Sequence, residues 1–179
     1  MDTLVRTPSQ DRSTARHWGL TVFMVLVTAC SSQPKPETTD RDASAYAAVI
    51  DALLQGSPLD QEDPDRLPVI YVEAFAQEGI SLTVQVQLVT AYADTYQLRF
   101  VDDRGEALLV DLEKQPVRSS SALIGLGPIL GENELSIRGE RYVDQDTIEA
   151  YRFSLADGGN QTWILTPTPI DPEGFARAP

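Results

Sequence analysis

From Ser121 to Leu165 the sequence is punctuated like a β-meander, and this constrains the fold more than any other feature. Apolar and β-branched stretches run over 121–129, 134–142, 148–155 and 161–165, separated by turn-forming residues. In the second stretch Leu135 and Ile137 fall on one side of the pleat, as in a strand with one covered face. Asp157-Gly158-Gly159-Asn160, between the last two, enters positive-φ turn conformations at little cost, so a hairpin is expected there. Strands joined by short turns make an antiparallel sheet.

The upstream half is patterned differently. Tyr46, Val49, Ile50, Leu53 and Leu54 recur at helical spacing, Asp42 or Ser44 can cap the start, and Gly56 suits the position just past the end. A helix is expected over 43–55. Residues 57–66 are polar and broken by Pro58 and Pro64, a loop; 67–75 is β-branched and aromatic, a strand with Pro68 at its start. Residues 80–92 carry two periods at once. Ile80, Leu82, Val84, Val86 and Leu88 alternate, while Ile80, Val84, Leu88, Ala91 and Tyr92 make a helical stripe with Ser81 placed to cap it. The stripe runs on to Tyr92 and the alternation stops at Leu88, so a helix is the expectation. Residues 96–101 read as a strand, and 103–109 as one helical turn or a hairpin. Helices early and paired strands late predict an α+β fold: a single domain, mainly antiparallel sheet, with one or two N-terminal helices packed on one face.

Composition narrows the chemistry. The 179 residues hold 27 acidic against 14 basic side chains, a formal net charge of -13, which repels phosphate backbones and excludes nucleic acid as a partner. One histidine and one cysteine cannot build a zinc finger or a disulfide framework.

The N-terminus reads as an address. Arg6, Arg12 and Arg16 form a basic leader, diluted by Asp2 and Asp11, and a mostly apolar run follows over 18–29. That run is shorter than the roughly 20 residues of a membrane-spanning helix and fits the apolar core of a signal peptide, about 7–15. Val27-Thr28-Ala29-Cys30 closes it, and this tetrad resembles the lipobox of bacterial lipoproteins. The resemblance covers only the leader. It implies cleavage before Cys30 and acylation of the Cys30 sulfur with a palmitate-class diacyl group. The acylated residue then becomes the mature N-terminus. His17 would leave with the leader, so the mature chain would have no histidine and no free thiol. The expected organisation is a lipoprotein signal peptide over 1–29 and a flexible tether over 30–41. A globular domain over 42–170 and a C-terminal tail over 171–179 would complete it. The tether is expected from Ser31-Ser32-Gln33-Pro34-Lys35-Pro36-Glu37-Thr38-Thr39-Asp40, which has nothing to bury but its prolines. Tyr46-Ala47-Ala48-Val49-Ile50, residues 99–104 and Leu123-Ile124-Gly125-Leu126-Gly127-Pro128 are together similar to small actinobacterial lipoproteins, a similarity that spans most of 45–165 and implies no activity.

Candidate chemistry inside the domain is thin. Ser119-Ser120-Ser121 would need a base, and Lys114, in the polar stretch Glu113-Lys114-Gln115-Pro116, is the one lysine outside the tether. Asp102 with Asp103, Asp144 with Asp146, and Glu132 with Glu134 are the carboxylate pairs that a glycoside hydrolase could use, yet each adjoins a turn and reads as solvated. Asp60, Glu62, Asp63 and Asp65 crowd one loop, but Pro64 stands in the fifth position of an EF-hand register and Asp65 where that loop needs glycine. Gly125, Gly127 and Gly131 precede strands rather than the helix a phosphate loop requires. Tyr71, Phe75, Tyr92, Tyr96, Phe100, Tyr142, Tyr151, Phe153 and Trp163 fall mostly within expected elements, where a core role is the default and a ligand groove between helix and sheet would use some of the same residues. No catalytic, cofactor or metal residue is assigned.

The expectation is a lipid-anchored envelope protein on the cell membrane or outer envelope, its domain outside the cytoplasm. It would be held to the bilayer through Cys30 and act as a non-catalytic module for an envelope protein partner or assembly. The alternatives are an envelope-polymer hydrolase working with carboxylates, and a carrier of a small ligand or metal. A carboxylate of raised pKa in a cleft would favour the hydrolase, and an exposed apolar patch the binding module.

Overall fold

The computed structural model describes residues 36–55, 59, 63–75, 79–159 and 162–175. Two helices and one six-stranded sheet make up this region, with strand order β2-β1-β3-β4-β5-β6.

Helix α1 runs Pro36–Gln55 and buries Tyr46, Val49, Ile50, Leu53 and Leu54, the stripe its spacing predicts, together with Ala45. It starts seven residues before the expected 43, inside the segment read as tether. Proline's fixed φ suits a first helical turn, so Pro36 can open the helix. The polar residues are also held from outside the helix: Gln87 Nε2 donates to Asp40 Oδ1 at 2.6 Å.

Strand β1 (Val69–Ala74) lies inside the sheet, one strand in from its edge. Ile70, Tyr71 and Val72 are buried in succession, so both faces of the strand are covered. Helix α2 (Leu82–Tyr92) crosses back and delivers β2 (Gln97–Val101) parallel to β1, pairing Ile70 with Leu98. The ambiguity over 80–92 resolves as a helix because the Ser81 side chain accepts the Val84 amide at the N-cap, while Val84, Leu88 and Tyr92 face the core. After a turn of 3-10 helix at Arg104–Glu106 and a long loop, β3 (Ser121–Leu126) pairs with the other edge of β1, also in parallel. These two parallel pairings were not foreseen. Near-continuous burial along a strand, as in β1, is their mark in sequence. Strands β4 (Leu135–Asp144), β5 (Thr147–Gly159) and β6 (Thr162–Pro169) then complete the antiparallel meander.

Both helices lie on one face of the sheet, over Ile70, Val72, Leu98, Ile124, Leu126, Ile137, Phe153 and Leu155. Contact is close. A side chain at Gly139 would lie 2.9 Å from Phe153 and 3.0 Å from Val49, so α1 approaches β4 nearly at the backbone. On the opposite face Tyr71, Leu123 and Tyr142 are covered by Ala107, Leu108 and Phe175. The expected C-terminal tail is therefore part of the fold as far as Phe175, which is buried. Its ring meets Phe75 edge-on at 5.0 Å and Tyr142 at 5.6 Å. Phe75 itself lies over Gly125 and against Gly174, where any Cβ would overlap the ring.

Candidate functional site

The chemistry of the domain gathers on the sheet face away from the helices. The register row Glu73, Gly125, Glu140 runs across β1, β3 and β4, which sets the two carboxylate-bearing backbones about 10 Å apart at the usual strand spacing. Gly125 leaves the middle open, and the Phe75 ring fills it.

Glu140 is fully buried and fully used. Its Oε1 accepts from Arg138 Nε at 2.6 Å and from the amides of Glu173 and Gly174 at 3.1 and 2.9 Å; its Oε2 accepts the Phe175 amide at 3.0 Å. Burial alone would raise its pKa, but the three amides and the Arg138 guanidinium outweigh that and hold it below the ordinary glutamate value. Arg138 also binds the Glu173 carboxylate at 3.0 Å and the Asp171 carbonyl at 2.7 Å. Together the two side chains buckle the strap 171–175 onto the sheet.

Glu73 is the counterpart. Arg104 donates to its Oε1 at 3.2 Å and to the Phe175 carbonyl at 2.9 Å, with the guanidinium 5.4 Å from the centre of the Phe175 ring. The other oxygen, Oε2, is buried with no hydrogen-bond partner. Burial raises the Glu73 pKa, Arg104 holds part of that rise back, and Asp103 and Glu140 add to it. Across one glycine, two acids thus have their pKa values shifted in opposite directions. Beside them a groove of about 700 Å³ opens between Arg104, Leu108, Val110, Tyr142, Ile148 and Phe175. Neither Glu73 nor Glu140 lines it. Gln115, on its wall, and the adjoining Lys114 hold positive φ of 44° and 68°, with the Tyr142 hydroxyl donating to the Gln115 carbonyl at 3.1 Å.

The carboxylates singled out in the sequence serve turns. Asp103 Oδ1 accepts the Gly105 amide at 2.8 Å, Asp144 Oδ1 the Asp146 amide at 2.9 Å, and Asp63 Oδ1 the Asp65 amide at 2.9 Å. Asp102, Glu132 and Glu134 are exposed, and Asp60 and Glu62 lie outside the described residues. Lys114 is exposed and paired with Asp146 at 2.7 Å, and Ser121 Oγ donates to the Ser119 carbonyl at 3.2 Å. Gly125 and Gly127 belong to the β3 end, where they admit Phe75 and the β4 backbone rather than a phosphate. Val27, Thr28, Ala29, Cys30 and His17 lie outside the described residues. Sequence reasoning passed over Glu73, Arg104, Arg138 and Glu140. The available sign was Glu73, an acid interrupting the apolar run 69–74.

A second surface lies on α2. Leu82, Val86 and Val89 point outward at 74%, 56% and 41% exposure, and Ala93 continues the line. Their spacing is that of one helix face, opposite the face that buries Val84, Leu88 and Tyr92. Among the described residues, no helix is long and apolar enough to cross a membrane. No known protein family, curated protein or solved structure matches the chain.

Proposed function

We propose that the chain is a lipid-anchored protein of a bacterial cell envelope, acylated at Cys30, whose folded domain binds rather than catalyses. The observation that carries the binding reading is the outward apolar line Leu82, Val86, Val89 on a helix whose other side is already core. A helix apolar on both sides is ordinarily buried on both. The leader and its Val27-Thr28-Ala29-Cys30 exit support the anchor. Glu140 is committed to three amides of the strap and to the Arg138 guanidinium, which leaves it unsuited to act on a substrate.

One observation favours a second reading. Glu73 has a raised pKa, a free buried oxygen and an ionised neighbour, the pairing of acids that hydrolases use. In that reading Glu73 is the general acid of an envelope-polymer hydrolase.

Intact mass of the chain from its native host, beside a Cys30→Ala control, tests the anchor. Loss of residues 1–29 and gain of acyl mass supports it, and an unprocessed chain refutes it. Release of soluble fragments from cell-wall polymer by the wild type, abolished in Glu73→Gln, would replace the binding reading with the hydrolase.

A further inference from the structure

We propose that the outer face of α2 rests on the surface of the bilayer that holds Cys30; the proposal deepens the lipid-anchor reading and depends on it. Three observations point to lipid as the occupant. The first is charge. Residues 81–93 contain no Asp, Glu, Lys, Arg or His in a chain of net charge -13. Charged side chains resist transfer to the headgroup–acyl boundary, so a strongly acidic domain can lie on a bilayer only by a face that carries none. Asp40 and Asp94, both exposed, mark where the uncharged face ends.

The second is reach. Gln87 bonds Asp40 at 2.6 Å, and the Tyr92 hydroxyl lies 3.0 Å from the Ala47 carbonyl and 2.7 Å from the Asp51 carboxylate. Contacts that advance together along both helices mean that α1 and α2 run in the same direction. Leu82 therefore sits at the end of the pair where α1 begins. From Cys30 to Pro36 the covalent chain can extend at most about 21 Å, so an anchored Cys30 keeps this end of α2 near the lipid.

The third is size. Leu82, Val86 and Val89 expose on the order of 300 Å² of apolar surface, well short of the ~800 Å² per partner that a stable dimer buries. A patch too small to hold a free partner is sufficient for a domain whose anchor already supplies a high local concentration of bilayer.

The test uses the full acylated chain in phosphatidylcholine vesicles. Cys30 is the one native cysteine and its sulfur is consumed by acylation, so Leu82→Cys, Val86→Cys and Val89→Cys each offer a single thiol for a nitroxide, with Leu112→Cys, exposed on the opposite side of the sheet, as control. Collision with a water-soluble nickel chelate should fall about threefold or more at 82, 86 and 89 relative to 112, and the protection should shrink as phosphatidylglycerol is added, because Asp40 and Asp94 border the contact. An acylated chain whose four labels are equally accessible overturns the proposal and leaves the anchor standing. Labels that are protected but couple to one another across molecules also overturn it, in favour of a second copy. A mass without acyl groups overturns the anchor and this proposal together.

Discussion

Replacing Glu140 by glutamine should be among the most costly single-atom changes in this domain. The variant keeps size and shape but loses the charge and one acceptor. If the amide oxygen takes the place of Oε1, it still receives Arg138, Glu173 and Gly174, while its NH₂ faces the Phe175 amide that Oε2 now accepts. One hydrogen bond to a charged group is lost, at about 1.5–3 kcal/mol, and a buried amide is left unpaired, at about 1–3 kcal/mol. Arg138 also loses its fully buried counter-charge. A net loss of about 3–4 kcal/mol follows, a large part of the ~5–15 kcal/mol that holds a domain folded. With a urea m-value of about 2 kcal/mol/M, the unfolding midpoint of a Cys30→Ala background should drop by about 1.5–2 M. If the cost arises at the strap, it should shrink when the same substitution is made in a chain ending at Ile170, a coupling that a double-mutant cycle reads directly. A midpoint shift under about 0.5 M, or full additivity in the cycle, would refute the reasoning.

Glu140 and Glu73 should also shape the acid limb in opposite senses. With its pKa held low, Glu140 contributes stability that is intact above the ordinary glutamate value and lost as pH falls through its folded value. Glu73, raised by burial against the pull of Arg104, takes up its proton in the folded chain first, so acidification through that window favours folding. Glu140→Gln should flatten the fall in urea midpoint between about pH 7 and pH 3, and Glu73→Gln should steepen it; the reverse order would show that the assignments are exchanged. Gly125→Ala should cost at least ~1–3 kcal/mol by driving a methyl into the Phe75 ring, and Phe75→Leu in the same chain should recover part of that loss; equal stability of Gly125→Ala and wild type would mean that the ring moves freely. Gln115→Gly should raise the melting temperature slightly, by up to about 1 kcal/mol of stability, because φ of 44° strains any residue with a Cβ. A fall in melting temperature would locate a use for the Gln115 side chain.

Local signs were readable and long-range ones were not. The α1 stripe, the Ser81 cap and the turns of the meander each lie within one element or one loop, and each predicted its element. Residues 36–41 were misread because their composition has nothing to bury, whereas their helix is held by α2 through Asp40 and Gln87, 47 positions apart. The parallel pairings of β1 depend on a crossover helix and a long loop that no dipeptide announces. Glu140 was invisible for a similar reason. Ser136, Arg138 and Glu140 alternate with Leu135 and Ile137, which reads as a solvated face, and it is the strap more than thirty residues later that buries it. The α2 surface was legible in part: its double period, strand-like and helix-like at once, is what a helix apolar on both sides looks like in sequence.

That double period also bears on what the domain does. The sheet has two faces, and each is closed by a different device: helices on one, a strap and a loop on the other. On the strap side the apolar cover of Ala107, Leu108 and Phe175 is fastened by polar contacts that use every oxygen of Glu140 and one of Glu73, so chemistry there would first require breaking contacts that the fold depends on. On the helix side the closure is apolar and continues past the core to the outer face of α2, where nothing within the described residues covers Leu82, Val86 and Val89. Leu82, Val86 and Val89 are all largely outside the core, so glutamine at each should shift stability by less than about 0.5 kcal/mol. A binding module predicts that such neutral substitutions abolish function in the cell while Gln115→Gly leaves it intact. A hydrolase predicts the reverse dependence, with function lost in Glu73→Gln at unchanged fold and untouched by any change on α2.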